Sequence, residues 1–168
     1  MARHLYACPL RWSDMDAFGH VNNVVYLRYL EEARVDFMWR LAAGAGDGDA
    51  FTGGIVVARH EIDYLKPLFH RHVPVDVELW VTEIGAASLT VAYEVKDEET
   101  RYARASTLLV PFNFQTGRPR RVTRVEAGFL EKYLETEGDG PEGPSPHDGA
   151  RARARARAQR RQGARLGA

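Results

Sequence analysis

Between Asn23 and Ala43, Val24, Leu27, Leu30, Ala33, Phe37 and Leu41 recur at steps of three and four. That spacing predicts one long helix over about residues 23–43 with a single apolar stripe. Arg28, Glu31, Glu32 and Asp36 fill the other faces, and the Gly/Asp run Gly44–Gly48 ends the helix. The period then changes. Ile55–Leu65 is β-branched and partly alternating, and Lys66-Pro67 closes it. Val75, Val77, Leu79 and Val81 alternate with Asp76, Glu78, Trp80 and Thr82, and Leu89, Val91, Tyr93 and Val95 with Thr90, Ala92, Glu94 and Lys96. Arg101–Phe112 is another such run. Period two means strands with one packed face and one wetter face. Short connections at Gly85 and Asp97–Thr100 favour an antiparallel meander. Residues 3–11 read as a short extended segment, 13–21 as a loop, 116–119 as a turn and 125–135 as a short closing helix. The fold class is therefore α+β: one long helix against one curved antiparallel sheet. A sheet that wraps a single helix keeps a free edge or face, and dimerisation is the usual remedy.

Composition adjusts this picture at the C-terminal end. Residues 1–136 read as one domain. Residues 137–168 read as a disordered tail, first Gly/Pro-rich and then an Arg-Ala alternation. The chain of 168 residues is formally neutral, but seven arginines and one aspartate lie from His147 onward. The body thus carries about −6 and the tail about +6. An acidic body makes nucleic acid an unlikely partner, because phosphate affinity comes from basic contacts. One cysteine, Cys8, excludes an internal disulfide. The N-terminus has no apolar signal segment, and no run approaches a membrane span. A soluble, cytoplasmic protein is expected.

The chemistry concentrates in Ser13-Asp14-Met15-Asp16-Ala17-Phe18-Gly19-His20-Val21-Asn22-Asn23, a loop that feeds the start of the long helix. Asn22 is a candidate N-cap. The first helical turn has free N–H groups and a partial positive charge, which can hold a carbonyl oxygen that turns negative during acyl transfer. A carboxylate beside it can attack the acyl carbon or activate water. Asp14, Asp16 and His20 also permit a metal reading.

This stretch resembles the 4-hydroxybenzoyl-CoA thioesterase family of hotdog proteins, in the pattern Asp14-Met15-Asp16-Ala17-Phe18-Gly19 followed by the central helix. The resemblance covers about residues 4–135 and extends to Glu61-Ile62-Asp63-Tyr64-Leu65-Lys66-Pro67 and Thr116-Gly117-Arg118-Pro119. It implies the hotdog fold, with Asp16 as the catalytic carboxylate and the backbone near Asn23 as the donor to the thioester carbonyl. The continuation His20-Val21-Asn22-Asn23 is also similar to acyl-ACP thioesterases of the plant type. That likeness makes His20 a functional residue, able to bond Asp16 or the thioester oxygen; those enzymes have Asn where this chain has Phe18.

The expected activity is acyl-CoA hydrolysis in a homodimer or homotetramer with its site at a subunit interface. CoA is part of the substrate, and neither metal nor other cofactor is needed. Asn22, Tyr26, Tyr64, Lys66 and Arg59 are the expected substrate-binding residues. His60, His70, Arg71 and His72 are further candidates for CoA phosphates. The alternatives are an acyl-carrier-protein thioesterase and a non-catalytic acyl-CoA-binding protein on the same fold.

Overall fold

The computed structural model describes residues 2–44, 46, 50–51 and 53–135. The predicted disordered tail lies outside the described residues. In chain order the elements are β1 (His4–Cys8), a short 3-10 turn (Trp12–Asp14), α1 (Asn23–Val35), a wide π-helical turn (Asp36–Leu41), α2 (Ala42–Gly44), β2 (Ile55–Tyr64), β3 (Val75–Ile84), β4 (Leu89–Lys96), β5 (Arg101–Asn113), β6 (Arg118–Pro119) and α3 (Arg124–Glu131). The expected long helix is thus continuous to residue 44, but the π turn widens it after Val35.

The sheet is antiparallel with strand order β1-β3-β4-β5-β2, and β6 adds a two-residue pairing to β5. The predicted meander holds for β3, β4 and β5. It fails for β2, which pairs with β5 at the far end of the sheet. The connection from Leu65 to Pro74 is long enough to cross the sheet, and local alternation says nothing about that choice. β1 and β2 are left as the edge strands.

The alternation in β3 and β4 is confirmed. Val75, Val77, Leu79, Val81, Leu89, Val91, Tyr93 and Val95 are all buried, in one core cluster with residues of α1 and α3. Glu94 departs from the expected wet face. It is buried, with Arg101 at 3.0 Å, Arg104 at 3.6 Å and Lys96 at 3.9 Å from its carboxylate. Three cations make a buried carboxylate tolerable where neutral neighbours would not.

The stripe on α1 also needs correction. Val24 is exposed and Leu27 half-buried; the buried face is Tyr26, Tyr29, Leu30, Ala33 and Arg34, continued by Phe37 and Met38. The spacing of three and four is retained, but the stripe is rotated. Two tyrosines and an arginine occupy positions that aliphatic periodicity alone does not mark.

Candidate active site

The loop before α1 is folded by its own side chains. Asp14 ends the 3-10 turn and is buried. Its carboxylate accepts from the Arg11 N–H at 2.9 Å and from the Tyr29 hydroxyl at 2.6 Å, and its carbonyl accepts from the Asn22 N–H at 2.9 Å. Asp14 therefore faces inward and positions the loop. Burial, then the Asp14 carboxylate, holds the Tyr29 hydroxyl well above its usual range, so it remains a donor.

Asp16 lies on the other side of the chain, half-buried. One carboxylate oxygen accepts from the Phe18 N–H at 2.9 Å and the other from the Asn22 side-chain amide at 3.0 Å. The loop closes through Asp16 N–H to the His20 carbonyl at 3.1 Å and Gly19 N–H to the Asp16 carbonyl at 3.0 Å. Gly19 has φ +81°, a left-handed conformation that glycine adopts without penalty.

Asn22 is the N-cap, as expected. Its side-chain oxygen accepts from the Val24 N–H at 3.0 Å, and its carbonyl accepts from the Val25 N–H at 3.0 Å. The Val21 N–H goes to the Leu68 carbonyl at 2.8 Å. Across Val21–Val25 every backbone donor is thereby committed except that of Asn23, which has no acceptor among the described residues. It is exposed, in the first position of the helix, where the dipole favours negative charge.

The other expected residues divide. Tyr64 reaches the helix start and donates to the Asn23 carbonyl at 2.9 Å. Its ring stands edge-on to Tyr26 at 5.3 Å. Tyr26 is itself a core residue whose hydroxyl is pushed up to about 12 by burial. Lys66 is exposed just beyond Tyr64. Arg59 is not brought to the loop: it precedes Tyr64 by five residues on β2, about 17 Å at strand spacing, and pairs with Glu61.

The His20 ring makes no hydrogen bond to the Asp16 carboxylate, whose partners are the Phe18 N–H and the Asn22 amide. The imidazole lies over Phe18, with centroids 6.5 Å apart, and edge-on to Phe69 at 6.5 Å, while Nδ1 sits 3.4 Å from the Val21 carbonyl. Asn22 occupies the partner role the sequence suggested for His20. Arg71 is committed to Asp97 at 2.7 Å and to the Tyr102 hydroxyl at 3.3 Å, while His70 packs against Trp12. Among the described residues no group of three His, Cys, Asp or Glu is placed to hold a metal ion. No helix there is long and apolar enough to cross a membrane.

A long helix held by a curved antiparallel sheet, with a carboxylate at its start, defines a protein of the hotdog class. The family model described as the thioesterase-like superfamily matches residues 10–133, and the chain belongs to that family. It is similar in structure to a predicted thioesterase from Bacillus stearothermophilus, with TM-score 0.70 and 26% identity over 82% of this chain and 100% of that one. It is also similar to a thioesterase from Thermus thermophilus solved with coenzyme A and zinc, with TM-score 0.63 and 28% identity over 77% of this chain and 92% of that one. In sequence it is 31% identical to the uncharacterized protein YsmA of Bacillus subtilis (strain 168) over 84 residues, 50% of this chain and 54% of that protein. The chain thus matches about half the length of that relative.

Proposed function

We propose that the protein hydrolyses acyl-CoA thioesters to the free acid and CoA, with Asp16 as the catalytic carboxylate. One observation carries the reading: Asp16 is fixed beside the helix start, where the Asn23 N–H is the backbone donor left uncommitted among the described residues. That donor suits the thioester carbonyl oxygen, which gains negative charge as the carbon becomes tetrahedral. Asp16 then has two available roles. As a nucleophile it forms a bond to the acyl carbon, the carbon–sulfur bond breaks, CoA leaves as thiolate, and water hydrolyses the resulting anhydride. As a general base it takes the proton of a water that attacks the same carbon directly. Neither role needs a metal or a further cofactor. His20, stacked on Phe18 at the rim, serves to orient the thioester rather than to bond Asp16.

The CoA moiety is supported by the Thermus thermophilus neighbour solved with coenzyme A. Tyr64 and Lys66 flank the same helix start and are the proposed contacts for the pantetheine arm and phosphates. Tyr26, edge-on to Tyr64, would hold that ring in place. The protein is proposed to work in the cytoplasm as a homodimer or homotetramer.

The test is a panel of acyl-CoAs followed by released thiol, with wild type and Asp16→Asn. Asn keeps the shape and removes the charge. Turnover is expected to fall at least ~100-fold, the scale of a lost general base. A fully active mutant refutes the assignment of Asp16, and a wild type that releases no thiol refutes the activity.

A further inference from the structure

Arg34 projects from the last turn of α1 into the space between the helix and the sheet, and only 6% of it is exposed. A guanidinium so buried normally sits against a carboxylate. Here its partner is a neutral one, the Tyr93 hydroxyl at 3.3 Å. It forms no ion pair among the described residues. Glu31, three residues earlier on α1, is exposed and makes no ion pair with it. Beside Arg34, on edge strand β2, lies His60, whose Nδ1 is 2.8 Å from the hydroxyl of the fully buried Thr107. Burial, and then the charge of Arg34, hold His60 below its usual range; Glu31 opposes them. His60 thus has Nε2 unengaged, next to a buried cation that has no anionic partner among the described residues.

This cluster lies along the same strand as the candidate site. Tyr64, which bonds the Asn23 carbonyl, and His60 share one side of β2, four residues apart, or about 13 Å at strand spacing. Ile62, half-buried, lies between them on that side. Arg34 follows Asn23 by eleven residues, about 16 Å along the helix, and its side chain leans back toward the N-terminus. An acyl chain that starts at Asn23 and follows β2 would pass Ile62 and end at a cation.

We propose that Arg34, with His60 and Thr107, binds a carboxylate at the far end of the acyl chain, so that the preferred substrates are CoA thioesters of dicarboxylic acids. The inference rests on the thioesterase reading and adds a specificity site to it. Arg can grip a carboxylate with two parallel N–H donors, and His60 can supply a third from Nε2 in the tautomer whose Nδ1 accepts from the Thr107 hydroxyl. An uncharged chain end would leave the guanidinium buried without its anion, which is how a polar pocket rejects an apolar analogue.

The test is calorimetric binding of CoA thioethers, which cannot be hydrolysed, in a series of chain lengths. Each ω-carboxylated analogue is compared with its methyl-ended counterpart. Wild type is expected to prefer the carboxylated analogue at least ~10-fold at one chain length. Arg34→Met should abolish that preference, leave affinity for the methyl-ended analogue intact, and melt no lower than wild type, because it removes an uncompensated buried charge. Arg34→Lys keeps the charge without the fork and should retain a weakened preference; it carries the comparison if Arg34→Met does not fold. No preference at any length, or no binding, overturns the proposal. So does an Arg34→Met variant that keeps the preference, or one that alters only the state of assembly, which would mean that a second protomer supplies the anion. Because binding is read without turnover, selective binding beside uncleaved thioesters would instead sink the hydrolase reading.

Discussion

The side-chain amide of Asn22 donates to the Asp16 carboxylate at 3.0 Å while its oxygen caps α1 by accepting from the Val24 N–H at 3.0 Å. One residue therefore closes the helix and fixes the carboxylate beside it. The two duties separate by mutation. Asn22→Asp keeps a good capping oxygen but sets a second negative charge against Asp16. Asn and Asp rank alike as caps, so a loss of stability in this variant beyond about 0.5 kcal/mol would measure the repulsion between the two carboxylates. Its thioester turnover is expected to drop by roughly tenfold or more, as positioning and charge state are both disturbed. Asn22→Ala should lose activity as well and also cost about 1 kcal/mol of stability through the lost cap. Urea melts and released-thiol kinetics on both variants check this. Equal activity in all three proteins would mean that Asn22 is only a cap.

Tyr29 and Asp14 form the inner anchor of the same loop. The hydroxyl donates at 2.6 Å to a buried carboxylate whose other donor is the Arg11 N–H. Tyr29→Phe keeps the ring and strips that donor. The expected cost is about 1–3 kcal/mol, the penalty of a buried acceptor left short of a partner. Denaturant midpoints measure it. Below the melting temperature the variant should retain turnover, because Asp14 holds the loop and does not face the thioester. Stability unchanged by the substitution would remove Asp14 from its structural role.

The sequence makes some of this legible and conceals the rest for identifiable reasons. Alternation at Val75–Val81 and Leu89–Val95 specifies the core face of two strands, because a slip of one residue would turn every side chain over. The cap at Asn22 and the carboxylate at Asp16 are local chemistry, readable from neighbours in the chain. What pairs with Asp16 is less so. His20 and Asn22 are both near in sequence, and only the turn at Gly19 decides that Asn22 faces the carboxylate while the His20 ring goes to Phe18 and Phe69. Contacts such as Tyr29 with Asp14 and Arg34 with Tyr93 join residues far apart in the chain, so no spacing rule reports them. The place of β2 at the far edge of the sheet is likewise a long-range choice.

The turn between β4 and β5 offers a test of electrostatics away from the candidate site. The Asp97 carboxylate accepts from the Tyr102 hydroxyl at 2.5 Å and Arg71 at 2.7 Å, and from the Thr100 and Glu99 N–H groups at 2.8 and 3.1 Å. The Tyr102 hydroxyl foremost, then Arg71, hold its carboxyl well below the usual range. A carboxyl lowered in the folded state binds its proton later than in the unfolded chain, so it stabilises the fold at neutral pH and loses that contribution as acid is added. The side chain is 26% exposed and partly screened, so the contribution should be no more than about 1 kcal/mol. Asp97→Asn removes the charge and keeps an oxygen for the turn. The gap in stability between wild type and this variant is expected to be constant above the usual carboxylate value of about 3.9 and to narrow progressively below it. Urea melts across that range read the gap directly. A gap that does not narrow in acid would show that it comes from shape or hydrogen bonding at the turn and not from the charge of Asp97.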